Sequence, residues 1–271
     1  MDEQVVPIIV VGARGRMGKA LLQNVLMSDI LTLLGAVDRS GSPGIGQDAG
    51  ALIGMSNVGV KISDDLDPRR GSIVVDFSLP EATENNIQRC IERGVPLVLG
   101  TSGVGERALS LLKVASQSIP VVFAANFSVG VSLLTRLAAQ AAKALGEDWD
   151  CEIFEMHHQH KRDAPSGTAL RVGQAIASAT DRDLNKVQVT GRSGSDHPRQ
   201  PQEIGFAAAR GGDSTGEHTV FFFGQEERLE LTHRSFNRAI FARGALRAAT
   251  WVAQQKPGLY DMSDVLGFPS S

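Results

Sequence analysis

The sequence predicts an α/β protein with a Rossmann-type, doubly wound parallel sheet and a second α+β domain that has an open, mostly antiparallel sheet. In the first half of the chain, short apolar runs alternate with amphipathic stretches, and the runs end at small or acidic residues. Near-continuous apolar strands separated by helices are typical of a parallel sheet covered on both faces. After Gly146, apolar runs follow one another with glycine-rich turns between them, which predicts the α+β domain.

The individual elements follow from these runs. In the first half, strands are predicted at residues 8–11, 33–37, 73–75, 97–99 and 121–123, and a helix at 16–27. A long helix at 129–145 is predicted to bury one apolar stripe, made of Leu133, Leu134, Leu137, Ala141 and Leu145. Beyond it, helices are expected at 168–180 and 238–254, and strands at 151–160, 187–190, 204–210, 218–223 and 228–236.

The length of 271 residues allows two modest domains, each with a core of its own. We predict that residues 1–128 form the first domain and that a C-terminal helix within 238–271 completes it. Residues 129–237 form the second.

Composition excludes several classes of protein. With 42% apolar and 21% charged residues, the chain is not intrinsically disordered, and a formal charge of −3 argues against a nucleic-acid partner. The sequence contains no run of about 18 apolar residues, so no membrane span is predicted. Residues 1–4 lack the basic start of a secretory signal peptide. The two cysteines, Cys90 and Cys151, form neither a C-x-x-C pair nor a metal-ligand cluster, so we expect a reducing compartment, the cytoplasm.

A glycine-rich turn joins the first predicted strand to the first helix. Its sequence is Gly12-Ala13-Arg14-Gly15-Arg16-Met17-Gly18. Such a turn lets the backbone approach a pyrophosphate, and the helix N-terminus offers free N–H groups to the phosphates. The spacing G-x-x-G-x-x-G departs from the G-x-G-x-x-G fingerprint, so the motif alone is also compatible with an ordinary strand–helix turn.

An acidic residue in the expected place favours the dinucleotide interpretation. Asp38 lies at the end of the next apolar run, where a carboxylate accepts hydrogen bonds from the adenosine ribose. Asp38 favours NADH because it repels a 2′-phosphate, whereas Arg39, Arg14 and Arg16 are able to pair with that phosphate. The cofactor is therefore predicted to be NADH or NADPH. Arg39 is equally compatible with a plain surface position.

Two further groups of small residues follow predicted strands. They are Gly100-Thr101-Ser102 and Ala124-Ala125-Asn126-Phe127. Ligands of doubly wound sheets bind outside the carboxyl ends of the strands, so these residues are predicted to leave room for the nicotinamide and its ribose. Ordinary tight packing is the alternative.

The segment from Glu155 to Thr168 carries the most chemistry. It contains His157, His158, His160 and Lys161, followed by Ser166, Gly167 and Thr168 at the start of a predicted helix. Imidazoles, a lysine and a helix N-terminus suit a small substrate with carboxylates and a group that protonates it. On an extended strand, alternate residues would share a face, with a bend near Asp163. The alternatives are a solvated basic edge, or a metal held by His158 and His160.

These residues resemble a known family. The chain is similar to the 4-hydroxy-tetrahydrodipicolinate reductases (dihydrodipicolinate reductases) over essentially its whole length. The most specific match is Glu155-x-His157-His158-x-x-Lys161-x-Asp163-Ala164-Pro165-Ser166-Gly167-Thr168-Ala169. Supporting matches are the glycine-rich turn, Asp76-Phe77-Ser78, Gly100-Thr101, Ala125-Asn126-Phe127-Ser128-x-Gly130 and Gly216-Glu217-His218-Thr219.

The resemblance implies a cytoplasmic homotetramer that reduces a dicarboxylate with NADH or NADPH in diaminopimelate and lysine biosynthesis. It implies that the first domain binds the dinucleotide and that the second binds substrate and forms the oligomer. His157 would be the catalytic proton donor or acceptor and Lys161 the proton donor. His158, Gly167 and Thr168 would hold the substrate carboxylates. The family more often has threonine at Ser102, and other lineages have glycine at Arg14. No metal site is implied.

The resemblance also assigns the cofactor contacts. They are Gly12, Ala13, Arg14, Gly15, Arg16, Met17, Asp38, Arg39, Gly100, Thr101, Ser102, Ala124, Ala125, Asn126 and Phe127.

Two other functions compete with the reductase. One is a dehydrogenase of another small molecule on the same two-domain plan, and the other is a non-catalytic NAD(P)H sensor. The histidine-rich segment disfavours the first, and the lack of a recognisable helix-turn-helix motif disfavours the second.

Overall fold

The computed structural model describes residues 5–196 and 198–268. The sequence prediction about a leader at residues 1–4 therefore lies outside the described residues. The chain forms two compact units, Met1–Val129 with Ala239–Ser271, and Gly130–Arg238. Within the described ranges, none of the helices has the length and apolar character needed to cross a membrane.

Twelve strands and nine helices are present in the described part of the chain. The strands are β1 (Val6–Val11), β2 (Leu31–Val37), β3 (Ile62–Ser63), β4 (Ile73–Asp76), β5 (Leu97–Leu99), β6 (Pro120–Phe123), β7 (Asp150–His157), β8 (Gln188–Val189), β9 (Ile204–Arg210), β10 (Gly216–Phe223), β11 (Arg228–Ser235) and β12 (Gly258–Tyr260). The helices are α1 (Arg16–Leu26), α2 (Ala49–Leu52), α3 (Pro80–Arg93), α4 (Glu106–Ala115), α5 (Val129–Leu145), α6 (Gly167–Ala179), α7 (Leu184–Val187), α8 (Ala239–Val252) and α9 (Met262–Val265).

The first unit contains a seven-stranded sheet in the order β12-β6-β5-β4-β1-β2-β3. Every pairing in it is parallel, which confirms the predicted doubly wound sheet. From β1 the chain builds outward through β2 and β3, and then crosses to β4 on the other side of β1. That reversal opens a crevice outside the carboxyl ends of β1 and β4, where ligands of such sheets bind.

Helices cover both faces of this sheet. On one face, Leu21 and Leu22 of α1 and Ala245 of α8 belong to a single apolar cluster with Ile8 and Val10 of β1. On the other face, residues of α3 and α4 pack against Val74, Leu97 and Val121. Because both faces are covered, all four residues of β4 are buried, which explains the unbroken apolar runs in the sequence. The short elements α2, β3, β12 and α9 lack such runs and were not anticipated.

The second unit has a five-stranded sheet in the order β11-β10-β7-β9-β8. β11 and β7 each pair antiparallel with β10, whereas β7 and β8 each pair parallel with β9. The sheet is therefore mixed, where the sequence predicted a mostly antiparallel one. The cause is the connection from β7 to β9, because a chain that returns through a helix, here α6, is able to add a parallel strand.

Helix α5 has the predicted bounds but buries only part of the predicted stripe. Its buried residues are Val131, Leu134, Ala138 and Ala142. Of the predicted stripe, Leu134 is buried and Ala141 and Leu145 are partly buried against the same cluster, whereas Leu133 and Leu137 are 41% and 40% exposed. Hydrophobicity alone favours the two exposed leucines over alanine. In the fold, the small Ala138 and Ala142 face the apolar cluster that contains Cys151 and Ile153.

Candidate active site

The glycine-rich turn connects β1 to α1, and two of its glycines, Gly12 and Gly18, leave no room for a side chain. Gly12 has a φ of +80°, and a Cβ there would lie 2.7 Å from the carbonyl oxygen of Phe77. A Cβ on Gly18 would lie 2.1 Å from the carbonyl oxygen of Gly12. Gly15 is the N-cap of α1 and no side chain caps this helix, so its first N–H groups face outward as an anion site requires.

Asp38 links this turn to the end of β2. Its Oδ2 accepts the backbone N–H of Arg14 at 2.8 Å, and its Oδ1 accepts that of Arg39 at 2.9 Å. Each carboxylate oxygen retains a lone pair for a ribose hydroxyl. The Arg14 guanidinium donates to the Ser42 hydroxyl at 3.4 Å, while Arg39 and Arg16 are exposed. The acid and three arginines thus border the same turn.

The small residues after β5 and β6 surround Phe77, which the sequence prediction missed. A Cβ on Gly100 would lie 2.2 Å from the Phe77 ring, and that ring lies 5.4 Å from the ring of Phe127. The Thr101 hydroxyl donates to the Ser78 carbonyl at 3.4 Å. Asn126 accepts the N–H of Ser128 at 2.8 Å. Ala124 is partly buried, whereas Ser102 and Ala125 are exposed.

The predicted cofactor residues are thereby brought to the carboxyl-end edge of one sheet. Gly12 to Met17 follow β1, Asp38 and Arg39 follow β2, and the groups at 100–102 and 124–127 follow β5 and β6. This edge combines an uncapped helix N-terminus with glycines at close backbone approaches, which are the features that a dinucleotide site requires.

In the second unit, the histidine-rich segment follows a strand that is shorter than predicted. β7 ends at His157, and the N–H of Lys161 donates to the His158 carbonyl at 3.1 Å, which forms a turn. His158 and His160 therefore do not share a strand face, contrary to the extended arrangement; their rings are 6.3 Å apart and tilted. In the ranges 5–196 and 198–268, no three His, Cys, Asp or Glu side chains converge as metal ligands do.

His157 is held by a buried carboxylate. Its Nδ1 lies 2.5 Å from Oε2 of Glu155, whose side chain is only 1% exposed. Burial lowers the pKa of His157, and the neighbouring Lys161 and Arg210 lower it further, whereas Glu155 raises it. The net direction is down, so the imidazole is predominantly neutral at pH 7. An Nδ1–H donated to Glu155 leaves Nε2 as the atom that exchanges a proton.

Lys161 and the N-terminus of α6 complete the cluster. The ammonium of Lys161 lies 2.8 Å from Oδ1 of Asp163. Ser166 caps α6, since its hydroxyl accepts the N–H of Ala169 at 3.1 Å. The hydrogen bond from Lys161 lowers the pKa of Asp163, and the N–H of the exposed Gly167 lowers it further. The positive end of α6 and the ammonium thus already face one carboxylate of the chain itself.

Two residues of this cluster were not predicted as part of a site. Arg210, at the end of β9, pairs with Glu155 through both terminal nitrogens at 2.7 and 2.8 Å. His218, which the sequence favours only as a structural residue, places Nε2 3.0 Å from the Ser166 hydroxyl and its ring 5.1 Å from that of His157. The available signal was Glu155, a glutamate that continues the buried alternation of Cys151 and Ile153 along β7 and lies two residues before His157.

His218 should make the stability of the protein depend on pH. Burial lowers its pKa from an ordinary 6.5 to about 4, so the unfolded chain takes up a proton before the folded one does. This contribution to the free energy of unfolding is complete above pH 6.5 and is lost as pH falls to 4, by about 3 kcal/mol in all. Denaturant unfolding of His218→Gln should show a smaller loss over that interval. His160→Gln, at an exposed site, is the control, and equal losses in all three proteins would contradict the assignment.

The fold and the site define a class of protein: a two-domain, nicotinamide-dependent oxidoreductase with a Rossmann-type sheet and a separate unit that carries a histidine–lysine pair. Family models for the N-terminus and the C-terminus of dihydrodipicolinate reductase match residues 6–127 and 130–266. The chain belongs to the dihydrodipicolinate reductase family.

Similar proteins cover almost the entire chain. The 4-hydroxy-tetrahydrodipicolinate reductase of Alkalilimnicola ehrlichii is 50% identical over 96% of this chain and 98% of its own. That of Halorhodospira halophila is 50% identical over 95% and 97%. Among solved structures, dipicolinate-bound dihydrodipicolinate reductase from Paenisporosarcina sp. TG-14 has a TM-score of 0.75 at 22% identity, covering 95% of this chain and 98% of that one. An amine dehydrogenase from Mycobacterium smegmatis shares the fold, with a TM-score of 0.62 at 15% identity over 98% and 96%.

Proposed function

We propose that this protein reduces 4-hydroxy-tetrahydrodipicolinate, with loss of water, to tetrahydrodipicolinate in the diaminopimelate and lysine pathway, using NADH or NADPH. One observation carries the proposal: in a chain of this family, the second unit brings His157, Lys161 and the N-terminus of α6 into one cluster, connected through Glu155 and Asp163. The relatives that are 50% identical carry the name of this reductase. An amine dehydrogenase shares the fold, but the family models that match this chain are those of dihydrodipicolinate reductase.

Substrate binding is assigned to the start of α6 and the turn before it. The first N–H groups of a helix carry partial positive charge, so those of Gly167 and Thr168 are suited to a substrate carboxylate. His158, partly buried in the turn, is assigned to the second carboxylate. The dihydrodipicolinate reductase of similar fold that binds dipicolinate, a ring with two carboxylates, is consistent with a dicarboxylate substrate.

Proton transfer is assigned to His157 and Lys161. The bound nicotinamide would supply a hydride to a ring carbon, and the negative charge that develops is neutralised by a proton. Because the lowered pKa of His157 leaves this imidazole mostly neutral at pH 7, the ammonium of Lys161 is the better donor there. His157, through Nε2, then exchanges a proton with the substrate or with Lys161. The remaining residues orient the ring and oppose its two charges.

The two units are assigned different roles. The first unit holds the dinucleotide. Its contacts are assigned to the turn after β1, to Asp38 and Arg39, and to the segments at 100–102 and 124–127. The second unit holds the substrate and forms a homotetramer, a role supported by Phe223, which is 38% exposed and stacks with Phe221 on one face of β10. Size-exclusion chromatography with light scattering tests the assembly. The assigned pathway places the protein in the cytoplasm.

The cofactor preference is open to a direct test. Asp38 favours a free ribose hydroxyl, while the exposed Arg39 beside it is able to pair with a 2′-phosphate. We therefore expect Arg39→Ala to weaken NADPH binding by about tenfold and to leave NADH binding nearly unchanged, since a charge-assisted hydrogen bond at an exposed site is worth about 1.5 kcal/mol. Fluorescence titration with both cofactors measures the ratio. Arg70→Ala, at another exposed arginine, is the control, and equal losses for both cofactors would refute the role.

The proposed activity is tested with the coupled reaction. The purified protein is mixed with NADH or NADPH and the freshly formed product of the synthase that precedes it. The expected result is a loss of nicotinamide absorbance that requires both the protein and the synthase product. No loss with either cofactor would reject the proposed function.

A further inference from the structure

Glu155 lies at the centre of a buried hydrogen-bond network. Oε1 accepts from the backbone N–H of Ser166 at 3.1 Å and from Nη2 of Arg210 at 2.7 Å. Oε2 accepts from Nη1 of Arg210 at 2.8 Å and faces Nδ1 of His157 at 2.5 Å. Burial would raise the pKa of Glu155, but the hydrogen bonds from Arg210 and His157 outweigh it and hold the pKa below its usual value. One ionised carboxylate therefore contacts both the imidazole and the cap of α6.

Arg210 closes the network. It lies directly opposite His157 in the parallel pairing of β7 with β9, so the two side chains lie on the same face of the sheet. In addition to its two bonds to Glu155, Nη2 donates to the Asp163 carbonyl at 2.6 Å. The guanidinium thus connects β9, the end of β7 and the segment that leads into α6. Its planar set of donors is suited to such a bidentate contact, which a lysine does not reproduce.

We propose that Glu155 and Arg210 are a pair of positioning residues that hold the imidazole of His157 and the N-terminus of α6 in one fixed relation. This proposal rests on the proposed function for its consequence, because those two groups are the assigned proton-transfer group and carboxylate site. Neither residue needs to touch the substrate. Their effect is to maintain the distance and orientation on which efficient transfer depends.

The pair has an electrostatic signature. The charged and titratable groups around the imidazole are Glu155 on β7, Lys161 in the following turn, Arg210 on β9 and His218 on β10. Glu155 raises the pKa of His157, and Arg210 lowers it. Arg210 also shares the carboxylate oxygen that His157 contacts. If the fold is kept, removing the charge of Glu155 should therefore lower the pKa of His157, and removing the charge of Arg210 should raise it.

The experiment is an NMR titration of the protein labelled with ¹³C at the histidine Cε1, without substrate or cofactor. The signal of His157 is assigned by its loss in His157→Gln. Glu155→Gln should lower the protonated-to-neutral ratio of His157 at fixed pH by about tenfold. Arg210→Met should raise that ratio by a smaller factor, because Arg210 acts on His157 through its charge alone, whereas Glu155 acts through a hydrogen bond as well. Matched controls are Glu152→Gln and Arg192→Met, which break an ion pair involving the opposite end of β7. These controls should leave the ratio unchanged.

Activity gives the second measurement. Glu155→Gln should lower kcat by about 10²-fold, as expected for a displaced proton-transfer group, while NADH binding to the first unit stays unchanged. If either single variant fails to fold, the double variant Glu155→Gln with Arg210→Met removes both buried charges together. It should fold and should show a lowered pKa of His157, as Glu155→Gln does.

The outcomes separate the two proposals. Unchanged pKa values of His157 in the variants, or shifts in the same direction in both single variants, would overturn the positioning pair whatever the parent protein catalyses. The variants could show the expected opposite shifts while the parent protein has no reductase activity. That result would support the pair and reject the proposed function. A double variant that retains the parent pKa of His157 would also overturn the pair.

Discussion

Replacing His157 with glutamine is expected to lower kcat by about 10²-fold or more, as loss of a general acid–base group does. Glutamine keeps a polar side chain of similar reach but has no proton to exchange near neutrality. Lys161→Ala should cause a loss of the same order, because it removes the ammonium that lies 2.8 Å from Asp163 and is assigned as the proton donor. Steady-state kinetics across pH, with either nicotinamide cofactor, measures both effects.

His160→Gln is the matched control for these two variants. His160 lies in the same turn but is exposed and has no assigned role, so its replacement should leave kcat within about twofold of the parent, the range typical of a neutral surface change. Full turnover in both His157→Gln and Lys161→Ala would remove the catalytic assignment even though the family is established. A loss in only one of them would assign the proton donor to that residue.

Gly167→Asp is expected to raise the KM for the substrate by about 10²-fold, because it places a carboxylate where a substrate carboxylate should bind. The new carboxylate and the substrate carboxylate repel each other, and where the two charges are partly screened from water this repulsion opposes binding by several kcal/mol. The fold should tolerate the change, since a Cβ on Gly167 meets no atom within 4 Å. An aspartate in the first turn of a helix even stabilises it, by about 0.3–1 kcal/mol.

Gly167→Asn separates the charge from the added volume. Asparagine has the shape of aspartate but no charge, so its KM should rise much less. Thermal unfolding of both variants checks that α6 remains intact. A KM unchanged in Gly167→Asp would place the substrate carboxylates away from the N-terminus of α6 and would contradict the assigned binding site.

Much of the candidate site was predictable because it lies in continuous segments. Gly12 to Gly18 and His157 to Thr168 are local patterns, and in each the backbone geometry follows from residue types: glycines at close approaches and a serine that caps a helix. The strand ends that carry Asp38 and Thr101 were equally visible, because each follows an apolar run. The reductase family was recognised from the same segments and is confirmed by the family models.

The unpredicted parts depend on residues far apart in the chain. Arg210 lies 55 positions from Glu155, and His218 lies 52 from Ser166, so no local pattern connects them. The pairing of β7 with β9 is parallel only because α6 carries the chain back, and that pairing puts Arg210 opposite His157. The buried side of α5 likewise depends on packing, because Ala138 and Ala142 are buried whereas the larger Leu133 and Leu137 are exposed.

The amino-acid sequence by itself determined the order of the longer strands and helices, the glycine-rich turn after β1, the chemical types gathered before α6 and the family. These are set by short-range sterics, by hydrophobic periodicity and by the hydrogen-bonding capacity of neighbouring residues. Tertiary structure alone decided which distant charges neutralise one another, which carboxylate contacts the imidazole of His157 and which helix face is buried. Those outcomes depend on burial and on contacts across the sheet, and neither exists until the chain has folded.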